Sequence, residues 1–384
     1  MKRPNVFIYL ILGFLVKIYA ALKGQRIIKK TTIKGPAIVL SNHTSFFDFI
    51  YTTAAAYPHR ISYLVADKMA KDPRISFFLK LARAIPKCLF QPDPIATLNI
   101  FRILKKKGIV SIFPEGQISD IGKFKTPEFS IAKLLHKAKV DVYIIKHCNA
   151  YFVNPPWSKE TFTGRIESIM EKIISKETIK SMSEQEIYDT ILDKLDYNAS
   201  TYNMKKQYKY KIKDISNFEN VIYQCNSCAE EGLFSIGNRL VCPTCHKEMV
   251  FDVYGAVGNQ RIDELYDFQI KHIKKEITDN PQFEIQSPVK LQSYRKKRLM
   301  DVGEGVLSLT RKTYRFEGII DEKPATLHFD PKNVPYFPSD IGINIQIYEG
   351  YQIYQFVFED KKMPTKFVIA GEIIHQLVKN EVSH

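Results

Sequence analysis

The stretch Ala37-Ile38-Val39-Leu40-Ser41-Asn42-His43-Thr44-Ser45-Phe46-Phe47-Asp48 constrains the fold more than any other part of this chain. Its first half, entered through Pro36, is apolar and rich in branched residues, and predicts a strand. Ser41 and Asn42 end that run, and the apolar segment from Phe46 to Tyr57 predicts a helix. A histidine at such a handover, with a carboxylate five residues on, has a chemical use. The turn brings Asp48 back toward the His43 imidazole, where it can hold one ring nitrogen and leave the other as a base. The alternative is a surface histidine beside a first-turn aspartate that interacts with the helix dipole.

A second strand, Ile109-Val110-Ser111-Ile112-Phe113, ends in Pro114-Glu115-Gly116-Gln117-Ile118-Ser119. Both polar corners thus follow the carboxyl ends of strands, where open α/β sheets collect ligands. Asn42-His43-x4-Asp48 together with Phe113-Pro114-Glu115-Gly116 resembles the glycerolipid acyltransferases, the lysophospholipid or 1-acylglycerol-3-phosphate acyltransferase family, over roughly residues 5 to 198. The resemblance implies a sheet flanked by helices and an acyl thioester donor, acyl-CoA or acyl carrier protein. It also implies His43 and Asp48 as the catalytic pair. Asn42, Ser45, Glu115 and Gly116 would serve the substrate, Gly116 by letting backbone approach a phosphate or headgroup.

The chain departs from that family where it usually carries two arginines. Leu89 stands at one position, leaving Lys87 or Arg83 as substitutes, and Gln117-Ile118-Ser119 replaces the usual Thr-Arg-Ser at the other. A lysine is a point charge rather than a bidentate fork. Lys123 and Lys125 match a basic segment of the family and are further candidates for phosphate contact. Reaction type is therefore better defined than acceptor.

Cys225-x2-Cys228, thirteen residues, then Cys242-x2-Cys245 has the spacing of a zinc ribbon. Four thiolates close a tetrahedral site, so the expected zinc is structural and the acyl-transfer chemistry needs no metal. An iron site of rubredoxin type, two redox pairs, or c-type haem attachment at Cys242-x2-Cys245-His246 are the competing readings. Cys88 and Cys148 are expected in the core.

Val6 to Leu22 is apolar except for Lys17 and is flanked by Lys2, Arg3, Lys23 and Arg26. It predicts a helix lying on a membrane surface, with basic ends on anionic headgroups. A single span, a cleaved signal peptide and a plain core helix are the alternatives. Further strands are expected at Ile61–Ala66, Val140–Ile145 and Phe162–Ile174. Helices are expected at Phe77–Ala84 and Leu98–Lys107, and from a capping box at Ser183 and Glu186 to Leu195. Beyond a linker, Gly258 to Thr278 predicts a charged amphipathic helix. Val302 to Phe358 shows short alternating strands, and Lys366 to Val378 a closing helix. That last pattern resembles a pleckstrin-homology or GRAM-like module, with Arg295-Lys296-Lys297-Arg298 before it suited to an anionic membrane.

The expected organisation is an anchoring helix (1–25), an acyltransferase domain (26–200), a linker (201–220), a zinc ribbon (221–255), a helical linker (256–298) and a β-rich module (299–384). The net charge of +15 calls for an anionic partner. The expected function is membrane-associated O-acyl transfer to a lysolipid hydroxyl, 1-acylglycerol 3-phosphate foremost, in phospholipid synthesis on the cytoplasmic face. Two other readings are a zinc-ribbon nucleic-acid binder, which leaves both motifs unexplained, and a non-catalytic lipid-binding scaffold. Nucleic acid is the less favoured partner.

Overall fold

The computed structural model describes residues 3–71, 73–87, 92–295, 298–350 and 352–382. Leu89, Cys88, Lys2 and the central lysines Lys296 and Lys297 of the basic run lie outside the described residues. The chain divides into two compact units, residues 1–211 with 253–255, and residues 212–252 with 256–384.

The first unit begins with α1 (Val6–Leu22), β1 (Gln25–Lys29), β2 (Ala37–Leu40), α2 (Asp48–Ala56) and β3 (Ile61–Ala66). It continues through α3 (Asp67–Lys71), α4 (Pro73–Leu81), β4 (Ile85–Lys87), α5 (Pro94–Lys105), β5 (Ile109–Ile112) and α6 (Ser130–Ala138). It closes with β6 (Asp141–Cys148), α7 (Ala150–Val153), β7 (Ile166–Ile174), α8 (Glu184–Leu195) and α9 (Ala199–Lys206). The strands form one sheet in the order β1-β7-β6-β2-β5-β3-β4. β6, β2, β5, β3 and β4 are parallel, β7 runs antiparallel to β6, and β1 lies parallel to β7.

Every residue of β2 and of β5 is buried, because both faces of the sheet are covered. On one face Ile38, Leu40, Val110, Ile112, Val142 and Ile144 pack with side chains of α5, α6 and α8. On the other, Ala37, Val39, Ile109, Tyr143 and Ile145 pack with Ala55 and Ala56 of α2. Each large aliphatic side chain so buried contributes about 1.5–3 kcal/mol. Local signals agree with this packing. Asp93 caps α5 at the Ala96 N–H (2.8 Å), with Pro94 at the first position. Ser183 and Glu186 form the expected capping box on α8. In α1, by contrast, Phe7, Ile11, Phe14, Leu15, Ile18 and Leu22 are exposed. No helix among the described residues is long and apolar enough to cross a membrane.

The second unit holds a three-stranded sheet of β8 (Phe234–Ile236), β9 (Arg239–Val241) and β10 (Glu248–Val250), then α10 (Ile262–Asp279). There follow β11 (Glu284–Arg295), β12 (Arg298–Thr310), β13 (Tyr314–Ile320), β14 (Lys323–Phe329), β15 (Ser339–Asp340), β16 (Asn344–Glu349), β17 (Gln352–Phe358) and α11 (Met363–Val382). These strands make an antiparallel sheet in the order β14-β13-β12-β11-β17-β16-β15. α11 closes it. Phe367 packs edge-on to Phe358 at 5.0 Å, and Tyr314 donates to the Gly371 carbonyl. A side chain at Gly371 would sit 2.2 Å from the Phe337 ring, so the helix approaches there only as glycine. The sheet starts at Glu284, earlier than its hydrophobic pattern suggests. β11 places Ile285, Ser287, Val289, Leu291 and Ser293 inward, and the two serines blur the alternation.

Candidate active site

The parallel arrangement puts the ends of β2, β5, β3, β4 and β6 on one edge of the sheet. The chain leaves β2 through Ser41 and Asn42. Asn42 is buried, and its amide accepts from the His147 N–H (2.7 Å) and donates to the His147 carbonyl (3.1 Å). Its side chain thus continues the β2–β6 pairing past the end of the strand. The next residue is His43.

Asp48 opens α2 and is fully buried. Its Oδ2 lies 3.1 Å from His43 Nδ1 and accepts from the N–H groups of Thr44 (2.7 Å) and Ser45 (2.8 Å). The carboxylate therefore sets both the loop and the ring. With Nδ1–H donating to it, the lone pair is on Nε2, for which no hydrogen-bond partner occurs among the described residues. The His43 side chain is 20% exposed, enough for a substrate to reach it. Its ring stacks on Phe113, with centroids 4.4 Å apart, and Phe113 stacks in turn on Tyr63. Phe113 is thus the platform that fixes the imidazole plane. Sequence reasoning placed it in a motif without giving it this task.

Glu115 ties the two corners together. Oε1 accepts from the His43 N–H (2.6 Å) and Oε2 from the Lys125 N–H (2.9 Å), while the Ser119 N–H donates to the His43 carbonyl (2.8 Å). Burial pushes the Glu115 carboxyl up to about 8, against the downward pull of those two backbone donors. Gly116 takes φ of +75°, a conformation that favours glycine and sharpens the corner.

The sequence candidates thus separate by position. His43, Asp48, Glu115 and Gly116 come together. Asn42 and Ser45 are buried, and Ser45 Oγ accepts from the Phe47 N–H, so both hold the loop from inside. Lys125 Nζ sits 3.6 Å from Asp120 Oδ2 and is part exposed. Lys87 ends β4 on the same sheet edge, but three strands from β2, roughly 14 Å at ~4.8 Å per strand. Such an arrangement can remove a proton from a hydroxyl held near Nε2.

In the second unit the ligand atoms of Cys225, Cys228, Cys242 and Cys245 lie within 4.8 Å of one another. The Cys225–Cys245 and Cys228–Cys242 sulfur pairs are 3.7 and 3.6 Å apart. A tetrahedron of Zn–S bonds near 2.3 Å has edges of about 3.8 Å, so the donor set and its size fit one zinc ion. The two knuckles match bond for bond. The Ala229 N–H donates to the Cys225 carbonyl and the His246 N–H to the Cys242 carbonyl, with Ala229 and His246 both at positive φ. All four cysteines would be used, leaving no open position for a substrate. Around the ribbon, Gln269 of α10 bonds the backbone of Val221, Tyr223 and Gln224. Thr365 of α11 donates to the Asn220 carbonyl. The ribbon is therefore built into this unit.

The Acyltransferase family model matches residues 21–148. A solved structure of the 1-acyl-sn-glycerophosphate (LPA) acyltransferase PlsC from Thermotoga maritima is similar at 15% identity and a TM-score of 0.42, over 52% of this chain and 79% of that one. A SsgA-like sporulation-specific cell division protein from Thermobifida fusca matches at 13% identity and a TM-score of 0.16, over 27% of this chain and 96% of that one. No curated protein matches the chain. The matched residues run from the end of α1 through β6 and take in both motif corners, so this part of the chain is an Acyltransferase-family domain.

Proposed function

We propose that the protein is a membrane-associated O-acyltransferase that moves a fatty acyl group from an acyl thioester to the hydroxyl of a lysolipid, 1-acylglycerol 3-phosphate foremost. The observation that carries this reading is the His43–Asp48 pair, whose Nδ1 is engaged and whose Nε2 is not. His43 takes the proton of the acceptor hydroxyl as its oxygen attacks the thioester carbonyl. The tetrahedral intermediate then collapses, the C–S bond breaks, and the imidazolium returns the proton to the leaving thiolate. Asp48 steadies the imidazolium throughout. A positioned base contributes about 10²–10⁴-fold, with alignment supplying more.

Membrane association is supported by α1. Its most exposed apolar residues, Phe7, Ile11, Phe14, Leu15, Ile18 and Leu22, follow helical spacing along one side, with Phe7 75% and Leu22 81% exposed. Phe46 and Phe49, on either side of Asp48 in the sequence, are exposed as well, so apolar surface also lies beside the site. Lys123 and Lys125, on the segment braced by Glu115, would supply the positive charge for an anionic acceptor, with Lys125 Nζ also 3.6 Å from Asp120 Oδ2. A zinc ion in the ribbon would be held by four cysteine thiolates, an unoxidised set that suits a reducing compartment and the cytoplasmic face. The test offers purified protein several lysolipids with acyl-CoA and acyl carrier protein donors, and identifies products by mass spectrometry. Transfer that needs His43 supports the reading. Lipid binding with no transfer from either donor overturns it.

A further inference from the structure

Beneath the site lies a buried polar chain that the chemistry above does not use. His147, one residue before the end of β6, is fully buried. Its Nε2 is 2.7 Å from Thr52 Oγ1 and its Nδ1 2.9 Å from Ser168 Oγ on β7. Gln25 Nε2 donates both to that serine (2.7 Å) and to the Tyr51 carbonyl (2.8 Å). With its oxygen already accepting from Gln25, Ser168 has its own proton free for His147 Nδ1. Nε2–H then donates to Thr52, and every donor in the run finds an acceptor. Burial pushes the His147 imidazole down to about 4, so it is neutral wherever an acyltransferase works.

The connections of this residue converge on the catalytic pair. Thr52 is one helical turn after Asp48, on the same face of α2. The His147 backbone clamps Asn42, the neighbour of His43. We infer that His147 is a positioning residue, a neutral strut that fixes α2 against the exit of β2 and so keeps Asp48 and His43 in register. The inference rests on the assignment of His43 as the base. A neutral imidazole suits the task because it spans two hydroxyls on separate elements, donating to one and accepting from the other. A charged group there would be too costly to bury.

The test compares Thr52→Val, Thr52→Ser and His147→Phe with the parent full-length protein, after circular dichroism shows each to be folded. Thr52→Val keeps the volume and removes the hydroxyl with its bonds to His147 (2.7 Å) and to Ser41 (3.4 Å); Thr52→Ser keeps the hydroxyl. The expected result is a fall in kcat of about 10- to 100-fold for Thr52→Val and His147→Phe, with KM changed less than about twofold. Thr52→Ser should return kcat to near the parent. The NMR signal of the His43 Nδ1–H donated to Asp48 should move in the two impaired variants, which a loss of packing elsewhere in the domain would not produce. A folded Thr52→Val protein with parental kcat and an unmoved His43 Nδ1–H signal overturns the inference, whatever His147→Phe does. If His43→Ala itself keeps activity, the base assignment fails first. If His43 is essential while Thr52→Val is silent, only the strut fails.

Discussion

The two units of this chain solve the same problem, burying enough apolar surface, in opposite ways. In the first, β2 and β5 are buried on both faces and need only four residues each, because helices cover the sheet above and below. In the second, β11 alternates exposed and buried residues over most of twelve positions, and α11 covers the buried side. The parallel sheet gathers strand ends at one edge, so residues far apart in sequence, His43 and Glu115, share one hydrogen bond. Antiparallel strands distribute their turns to both edges, and the chemistry-bearing cluster of that unit lies outside its large sheet, in the four cysteines. The lesson is that two-sided burial builds this site, whereas short strands with little core call for a metal staple.

The largest effect should come from that staple. Removing the metal with a strong chelator, or substituting Cys225→Ser, deletes an interaction in the range of about 10–16 kcal/mol for structural zinc. The tertiary signal of the second unit should be lost while the parallel-sheet unit keeps its own melting transition. Elemental analysis should find one zinc per parent chain. Loss of both transitions together would break the contrast between a metal-held unit and a core-held one.

Next is His43→Ala. Its ring is partly exposed, so melting should barely change while acyl transfer falls by about 10²–10⁴-fold. Asp48→Ala should cost both rate and stability, since the carboxylate also accepts two backbone N–H groups. If these two variants behaved alike in melting, the division between a reacting ring and a buried brace would be wrong.

A smaller effect concerns Glu115. Its carboxyl is raised from an ordinary value of 4.5 to about 8 by burial. Across that interval the folded protein therefore binds more protons than the unfolded chain. This contribution to stability is complete below about pH 4.5 and is lost as pH rises through about 8, at up to about 1.4 kcal/mol per pH unit. Glu115→Gln should flatten that slope in denaturant melts taken from pH 5 to 8. An unchanged slope would place the titration elsewhere.

The smallest shift is expected on α1. Replacing exposed Leu15 or Ile11 by Ser should weaken binding to anionic vesicles by roughly 1 kcal/mol each, about fivefold, without altering the melting of the protein. Equal binding by parent and variants in a flotation assay would remove α1 from the membrane reading.

Much of this was legible in the sequence, and for local reasons. Ile61–Ala66 is a strand as its composition predicts, and Ser183 with Glu186 caps α8 through bonds between near neighbours. Other features were hidden because their partners are distant. β6 runs on to Cys148, past the expected end at Ile145, because polar His147 is satisfied by Thr52 and Ser168 inside the fold. α9 carries few apolar residues and reads as linker. Its Asn198 cap, and the Asn203 amide bonded to the Tyr208 and Tyr254 carbonyls, hold it in place.

The sequence by itself determined which groups could react: a histidine and an aspartate five residues apart, an acidic corner after a second strand, and four cysteines in two pairs. Those follow from residue type and short spacing, which the chain carries wherever it goes. Only the tertiary structure decided what each group has left to offer. Both oxygens of Glu115, the amide of Asn42 and the hydroxyl of Ser45 are spent on neighbours, whereas His43 Nε2 is not. A hydrogen bond can be given only once, and which partner receives it is settled by strands that meet in space rather than in sequence.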